Sequence, residues 1–91
     1  MRTFRFTRRF EKAFASLPDE IATLFEKKLP VFLRNIHHPS FRTGKISGTS
    51  NPDIWEASLT MNYRITFVIA ENEVIIFRNI GTHAILDKKQ F

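Results

Sequence analysis

Ninety-one residues suffice for one domain, taken as 1–91, with no room for a second. A hydrophobic fraction of 43% with ten Phe supplies a core without staples, and the absence of cysteine excludes a disulfide framework and a thiolate zinc site and points to a reducing cytoplasm. A formal net charge of +5 favours polyanions, which are a nucleic acid, an anionic membrane surface or an acidic protein partner, with the first and last preferred over a merely basic surface.

The N-terminal Met1-Arg-Thr-Phe-Arg-Phe has no apolar h-region and is not expected to be a signal peptide. No apolar run is long enough to span a membrane, so no membrane partner is expected. Residues 2–6 alternate and read as a first strand. Thr7 is placed to cap a helix over 8–16, with Phe10, Ala13 and Phe14 on one face. Pro18 suits the first turn of a second helix, and Asp19 and Glu20 then lie at its positive end. Ile21, Leu24, Phe25, Leu29, Phe32, Leu33 and Ile36 continue that helix as a 3.6-period stripe. Pro30 falls inside the stripe and is expected to kink or break it, giving a helical hairpin over one face of a sheet. His37-His-Pro-Ser40 ends the helical part. Residues 41–53, with Arg42, Lys45, two Gly, Asn51 and Pro52, read as a polar loop with one short strand near 41–46. Strands follow at 54–60, 63–70 and 74–80, and a short helix or turn at 83–88. The fold class is α+β: an antiparallel sheet with an N-terminal strand, a helical hairpin on one face and a short C-terminal helix or turn.

Register fixes which residues share a face. A two-residue turn between the second and third of these strands sets Arg64 against Leu59 and mixes a charge into the apolar side. A three-residue loop, with Asn62 in the left-handed region, sets Arg64 against Ser58. Trp55, Ala57, Leu59, Tyr63, Ile65, Phe67 and Ile69 then form one apolar face, and Glu56, Ser58, Arg64 and Thr66 the other. The buried face decides register, so the second arrangement is expected. The same alternation sends Ile75 and Phe77 to the core and Arg78 to the face of Arg64. A Gly81-Thr-His83 turn after the last strand brings His83 toward that face.

Such a face has the groups that metal-free cleavage of RNA needs. The 2′-hydroxyl must lose a proton, the phosphorane must be neutralised and the 5′-oxygen must gain a proton. Arg64 either clamps the scissile phosphate or pairs with Glu56 across the strands. Glu56 is either that structural partner or a general base. His83 carries a side chain type able to exchange protons, and it either does so in the reaction or caps the last helix. Lys45, Arg42 and Arg78 are candidates for flanking phosphates. His37 and His38 lack a carboxylate at ligand spacing, so a helix-end role is preferred over a metal; no metal or cofactor is expected.

The order of motifs adds to this reading. A short strand, a helical hairpin, a His-Pro-Ser linker, Lys45-Ile-Ser-Gly48, Ile54-Trp-Glu56, Tyr63-Arg-Ile65 and Asn79-Ile-Gly-Thr-His83 together resemble the RelE/ParE superfamily of type II toxins. The resemblance covers nearly the whole chain. It implies a concave basic face, cleavage of mRNA in the ribosomal A site and a cognate antitoxin that wraps and blocks the toxin. It implies an active-site role for Arg64, as in YoeB-like and RelE-like members, and a catalytic role for His83 in the Gly-Thr-His context of YafQ-like members. It associates His38 with the YafQ-like linker histidine and Lys45 with basic residues set against RNA. The chain departs from the pattern at Ser58, where many relatives have Arg or His. It departs again at Asn62, where YafQ-like members carry Asp, and at Asp87, where they carry an aromatic residue. The leading expectation is a ribosome-dependent mRNA endoribonuclease acting through 2′-hydroxyl attack. The alternatives are a ParE-like non-enzymatic inhibitor of DNA gyrase, and a weak homologue that only binds its antitoxin.

Overall fold

Alternating apolar residues over 55–69 leave a hairpin one way to bury its apolar side, and the computed structural model realises it. Residues 2–49 and 52–91 are described; the polar loop expected at Ser50 and Asn51, and Met1 of the N-terminal segment, lie outside them. The elements run β1 (Phe4–Phe6), α1 (Arg8–Ala15), α2 (Asp19–Arg34), a 3₁₀ turn (Pro39–Phe41), β2 (Gly44–Lys45), β3 (Trp55–Ser58), β4 (Tyr63–Ile69), β5 (Ile75–Thr82) and α3 (Ala84–Asp87), with a further 3₁₀ turn (Glu71–Glu73) between β4 and β5. The five strands form one sheet in the order β1-β5-β4-β3-β2.

The α+β class and the element order agree with expectation; sheet polarity does not. β2 through β5 pair antiparallel, but β1 pairs parallel to β5, Phe4 opposite Ile75 and Phe6 opposite Phe77. The sheet is therefore mixed. Parallel neighbours need a crossover connection, and here the helical hairpin and the β2–β4 meander supply it. A three-residue strand carries no sequence signal for its polarity.

Thr7 starts α1 as expected. Its hydroxyl accepts from the Phe10 amide at 3.1 Å and donates to the Arg78 carbonyl at 3.0 Å, so one side chain caps the helix and ties it to β5. α2 contains Pro30 and runs without a break from Asp19 to Arg34, which corrects the expected interruption. Pro30 is exposed, so the Glu26 carbonyl that loses its amide partner faces the solvent side of the helix.

The core lies between the hairpin and one face of the sheet. Phe77 is its hub: fully buried, with ring centroids 5.6 Å from Phe10, 5.6 Å from Phe25 and 5.9 Å from Phe32. Phe41 packs on Phe32 at 5.1 Å, edge to face. Phe41 thus belongs to the 3₁₀ turn and the core; the strand expected near 41–46 shrinks to Gly44–Lys45. β5 runs on through Thr82, so Gly81 and Thr82 are strand residues rather than a turn.

Candidate active site

The register expected for the central hairpin is the register observed. Ser58 faces Arg64, Ala57 faces Ile65, Glu56 faces Thr66 and Trp55 faces Phe67. The loop has three residues, 60–62, closed by the Leu59 amide donating to the Tyr63 carbonyl at 2.9 Å. Its mechanism differs from expectation. Asn62 is not among the positive-φ residues. Instead the Thr60 hydroxyl accepts from the amides of Asn62 and Tyr63, both at 3.1 Å, and holds the turn.

Glu56, Ser58 and Arg64 therefore share the sheet face turned away from the helices. Arg64 lies opposite Gly81 on β5, and His83 follows two residues later. The structure thus brings Arg64 and His83 to the same end of the same two strands. Arg64 Nη1 donates to the Thr60 carbonyl at 2.9 Å and the Met61 carbonyl at 3.1 Å. This leaves Nε and Nη2 for another acceptor. Among the described residues no carboxylate lies within ion-pair distance of Arg64, so the cross-strand pair with Glu56 is not formed. His83 occupies the N-cap position of α3 without capping it by its side chain. Its Nε2 lies 3.8 Å from Asp87 Oδ1, one turn on. Both side chains are exposed, and a pair of that kind contributes little.

The other candidates are placed elsewhere. Arg78 is the extra residue of a β-bulge: Thr66 pairs with Asn79 but Phe67 with Phe77. Its Nε donates to the Phe91 backbone oxygen at 2.9 Å, which holds the C-terminal segment across β5 rather than joining Arg64. Lys45 is in register with Trp55, on the helix-facing side. It sits 5.3 Å over the Trp55 ring and 3.1 Å from Asp53. His38 performs the turn-end role: its Nδ1 accepts from the Ser40 amide at 3.2 Å and lies 2.8 Å from Ser40 Oγ. Arg42 ends that turn with left-handed backbone, φ 47° and ψ 44°.

A cleft of about 260 Å³ opens beside the hairpin, where Arg42 and Arg64 meet Ser40, Ser58, Thr60 and Lys28. Lys28 was not singled out from the sequence. It flanks the apolar stripe of α2 and reads there as an ordinary solvated cation. Its Nζ donates to the Leu59 carbonyl at 3.1 Å, which fixes it against the hairpin.

No family model matches the sequence, and no curated protein matches it significantly. Solved structures do match. A chain of the archaeal RelE–RelB complex from Pyrococcus horikoshii OT3 superposes with a TM-score of 0.71 at 20% identity, over 89% of this chain and 93% of that one. YafQ from Escherichia coli BL21(DE3) gives 0.74 at 11% identity, over 94% and 98%. The RelB–RelE complex from Methanococcus jannaschii gives 0.68 at 20% identity, over 92% and 95%.

The fold is RelE-like. At such identities the likeness concerns architecture; which side chains do chemistry must be argued from this chain. The register puts Ser58, Arg64 and His83 at the hairpin end of the sheet, with Glu56 one step further in, level with Thr66. Thr66 is buried deeper on the same face, with a hydroxyl that has no protein hydrogen-bond partner. The open part of the site is therefore the β3–β4 end.

Proposed function

We propose that the protein is the toxin of a type II toxin–antitoxin pair, a cytoplasmic endoribonuclease that cuts mRNA in the ribosomal A site and is neutralised by its antitoxin. The reading is carried by one observation above others: within a RelE-like fold, Arg64 stands on the open sheet face with free guanidinium N–H groups, between Ser58 and the strand that leads into His83. In the reaction, Glu56 takes the proton of the 2′-hydroxyl, and the 2′-oxygen bonds to phosphorus. Arg64 neutralises the equatorial oxygens. The bond from phosphorus to the 5′-oxygen breaks, and His83 protonates that oxygen. The products are a 2′,3′-cyclic phosphate on the upstream fragment and a free 5′-hydroxyl. The antitoxin segment should be acidic or amphipathic, complementing a chain of net charge +5.

The test is cleavage of a defined mRNA on stalled ribosomes. Arg64→Ala and His83→Ala should each lower the rate by at least about 10²-fold. An unchanged rate removes that residue from the mechanism. One observation favours a second reading, a non-enzymatic inhibitor or an antitoxin-binding homologue: an uncharged Ser58 faces Arg64, whose Nη1 is bonded to the chain's own hairpin. Growth arrest with intact mRNA and gyrase trapped on DNA is the result that reading expects.

A further inference from the structure

We infer that the cleft beside the β3–β4 hairpin is a phosphate subsite, completed by Lys28 of α2. The inference deepens the reading above and rests on it only for the source of the phosphate, not for the existence of the site.

The cleft gathers three cations, Lys28, Arg42 and Arg64, with three hydroxyls, Ser40, Ser58 and Thr60, and no carboxylate lines it. Among the described residues the ion pairs are Arg2 with Glu73, Lys45 with Asp53 and His83 with Asp87. None involves the three cations of the cleft. Two other basic positions carry a counter-charge: Arg2 pairs with Glu73 in a cleft that also holds Arg34, and Lys45 has Asp53. Three like charges in one concavity repel one another unless an anion joins them.

Two of the three are held in place before any ligand arrives. Lys28 Nζ is anchored to the Leu59 carbonyl at 3.1 Å and Arg64 Nη1 to the Thr60 carbonyl at 2.9 Å. Each anchored group keeps further donors, two on the ammonium and three on the guanidinium. Arg42 is presented by backbone in the left-handed region, which a non-glycine residue adopts at a cost and which gathers at ligand sites. Donors from α2, the 3₁₀ turn and both hairpin strands approach from several directions. A tetrahedral oxyanion uses such an arrangement fully, and a planar carboxylate uses less of it. The volume of about 260 Å³ holds a phosphate together with part of a sugar.

The experiment is a titration of the full chain followed by amide NMR, with three ligands in parallel: inorganic phosphate, a single-stranded RNA hexamer and an acidic peptide. Phosphate and RNA should shift the amides around residues 28, 40–42 and 58–64. Lys28→Gln should weaken both at least fivefold and lower the salt slope of RNA binding by about 1. Lys27→Gln, its exposed neighbour on α2, should leave both unchanged. If Lys28→Gln loses thermal stability with its Leu59 bond, Lys28→Arg should restore affinity. A response to RNA alone assigns the phosphate to a nucleic acid chain. Shifts at the cleft with the peptide but with neither phosphate ligand overturn the proposal, as does Lys28→Gln binding as tightly as the native chain. Phosphate shifts at the cleft without ribosomal cleavage sustain the subsite and remove the nuclease reading. Cleavage with phosphate shifts elsewhere does the reverse.

Discussion

Gly81 shows how one missing side chain shapes the site. A Cβ built there stands 2.8 Å from Ile85 Cγ2, so glycine is required by the close approach of α3 rather than by backbone freedom. Gly81 is also the cross-strand partner of Arg64. Gly81→Ala should push α3 outward, displace His83 and cost about 1–3 kcal/mol by overpacking. Urea unfolding would report the loss, and an unchanged midpoint would show that α3 adapts without strain. In the sequence the Gly-Thr-His run drew attention to its histidine. The reason for its glycine is a contact with a residue four positions later, folded back over the strand, and no local pattern encodes it. Arg64 is the contrasting case. Its place opposite Ser58 followed from the alternation of Trp55, Ala57 and Leu59 against Tyr63, Ile65 and Phe67, because only one register buries both sets.

At the level of elements, α2 holds a proline where helices resist one. Pro30 lacks the amide that would bond to the Glu26 carbonyl, and its ring crowds that turn. The helix continues because Phe25, Phe32 and Leu33 on either side are buried in the core, which outweighs the local loss. Pro30→Ala should therefore stabilise the protein by about 1–3 kcal/mol, less than a full interior proline penalty because alanine also loosens the unfolded chain. A thermal midpoint at or below that of the native chain would contradict this. The same competition explains which elements were legible. Long periodic stretches named themselves: α1 with its Thr7 cap, the stripe of α2, β4. Short elements were legible in position but not in extent or pairing: the strand expected over 2–6 is Phe4–Phe6 and pairs parallel with β5, and the one expected near 41–46 is only Gly44–Lys45. The bulge at Arg78 was equally hidden. It turns on pairing between β4 and β5, and it redirects a side chain expected beside Arg64 toward Phe91. Lys28 was invisible for the same reason: its partner Leu59 is 31 positions away.

For the molecule as a whole, the two sides of the sheet divide the work. One is filled by interlocking phenylalanines, and at the hairpin end Arg64 of the other meets Lys28 of α2 and Arg42 in the cleft. Binding of single-stranded RNA should then weaken with salt, the log–log slope steepening by about 0.7 for each phosphate the basic surface neutralises. Affinity that ignores ionic strength would refute an electrostatic basis for the site. The parallel pairing of β1 with β5 has a temporal consequence. Thr7 and the Arg78 carbonyl it bonds are separated by 71 positions, and at about 5–20 residues per second a ribosome takes roughly 4–14 s to deliver the second after the first. During that interval the nascent chain has helices and no finished sheet, because β5 is the strand between β1 and β4. Protease resistance should therefore appear only once synthesis of the chain is nearly complete.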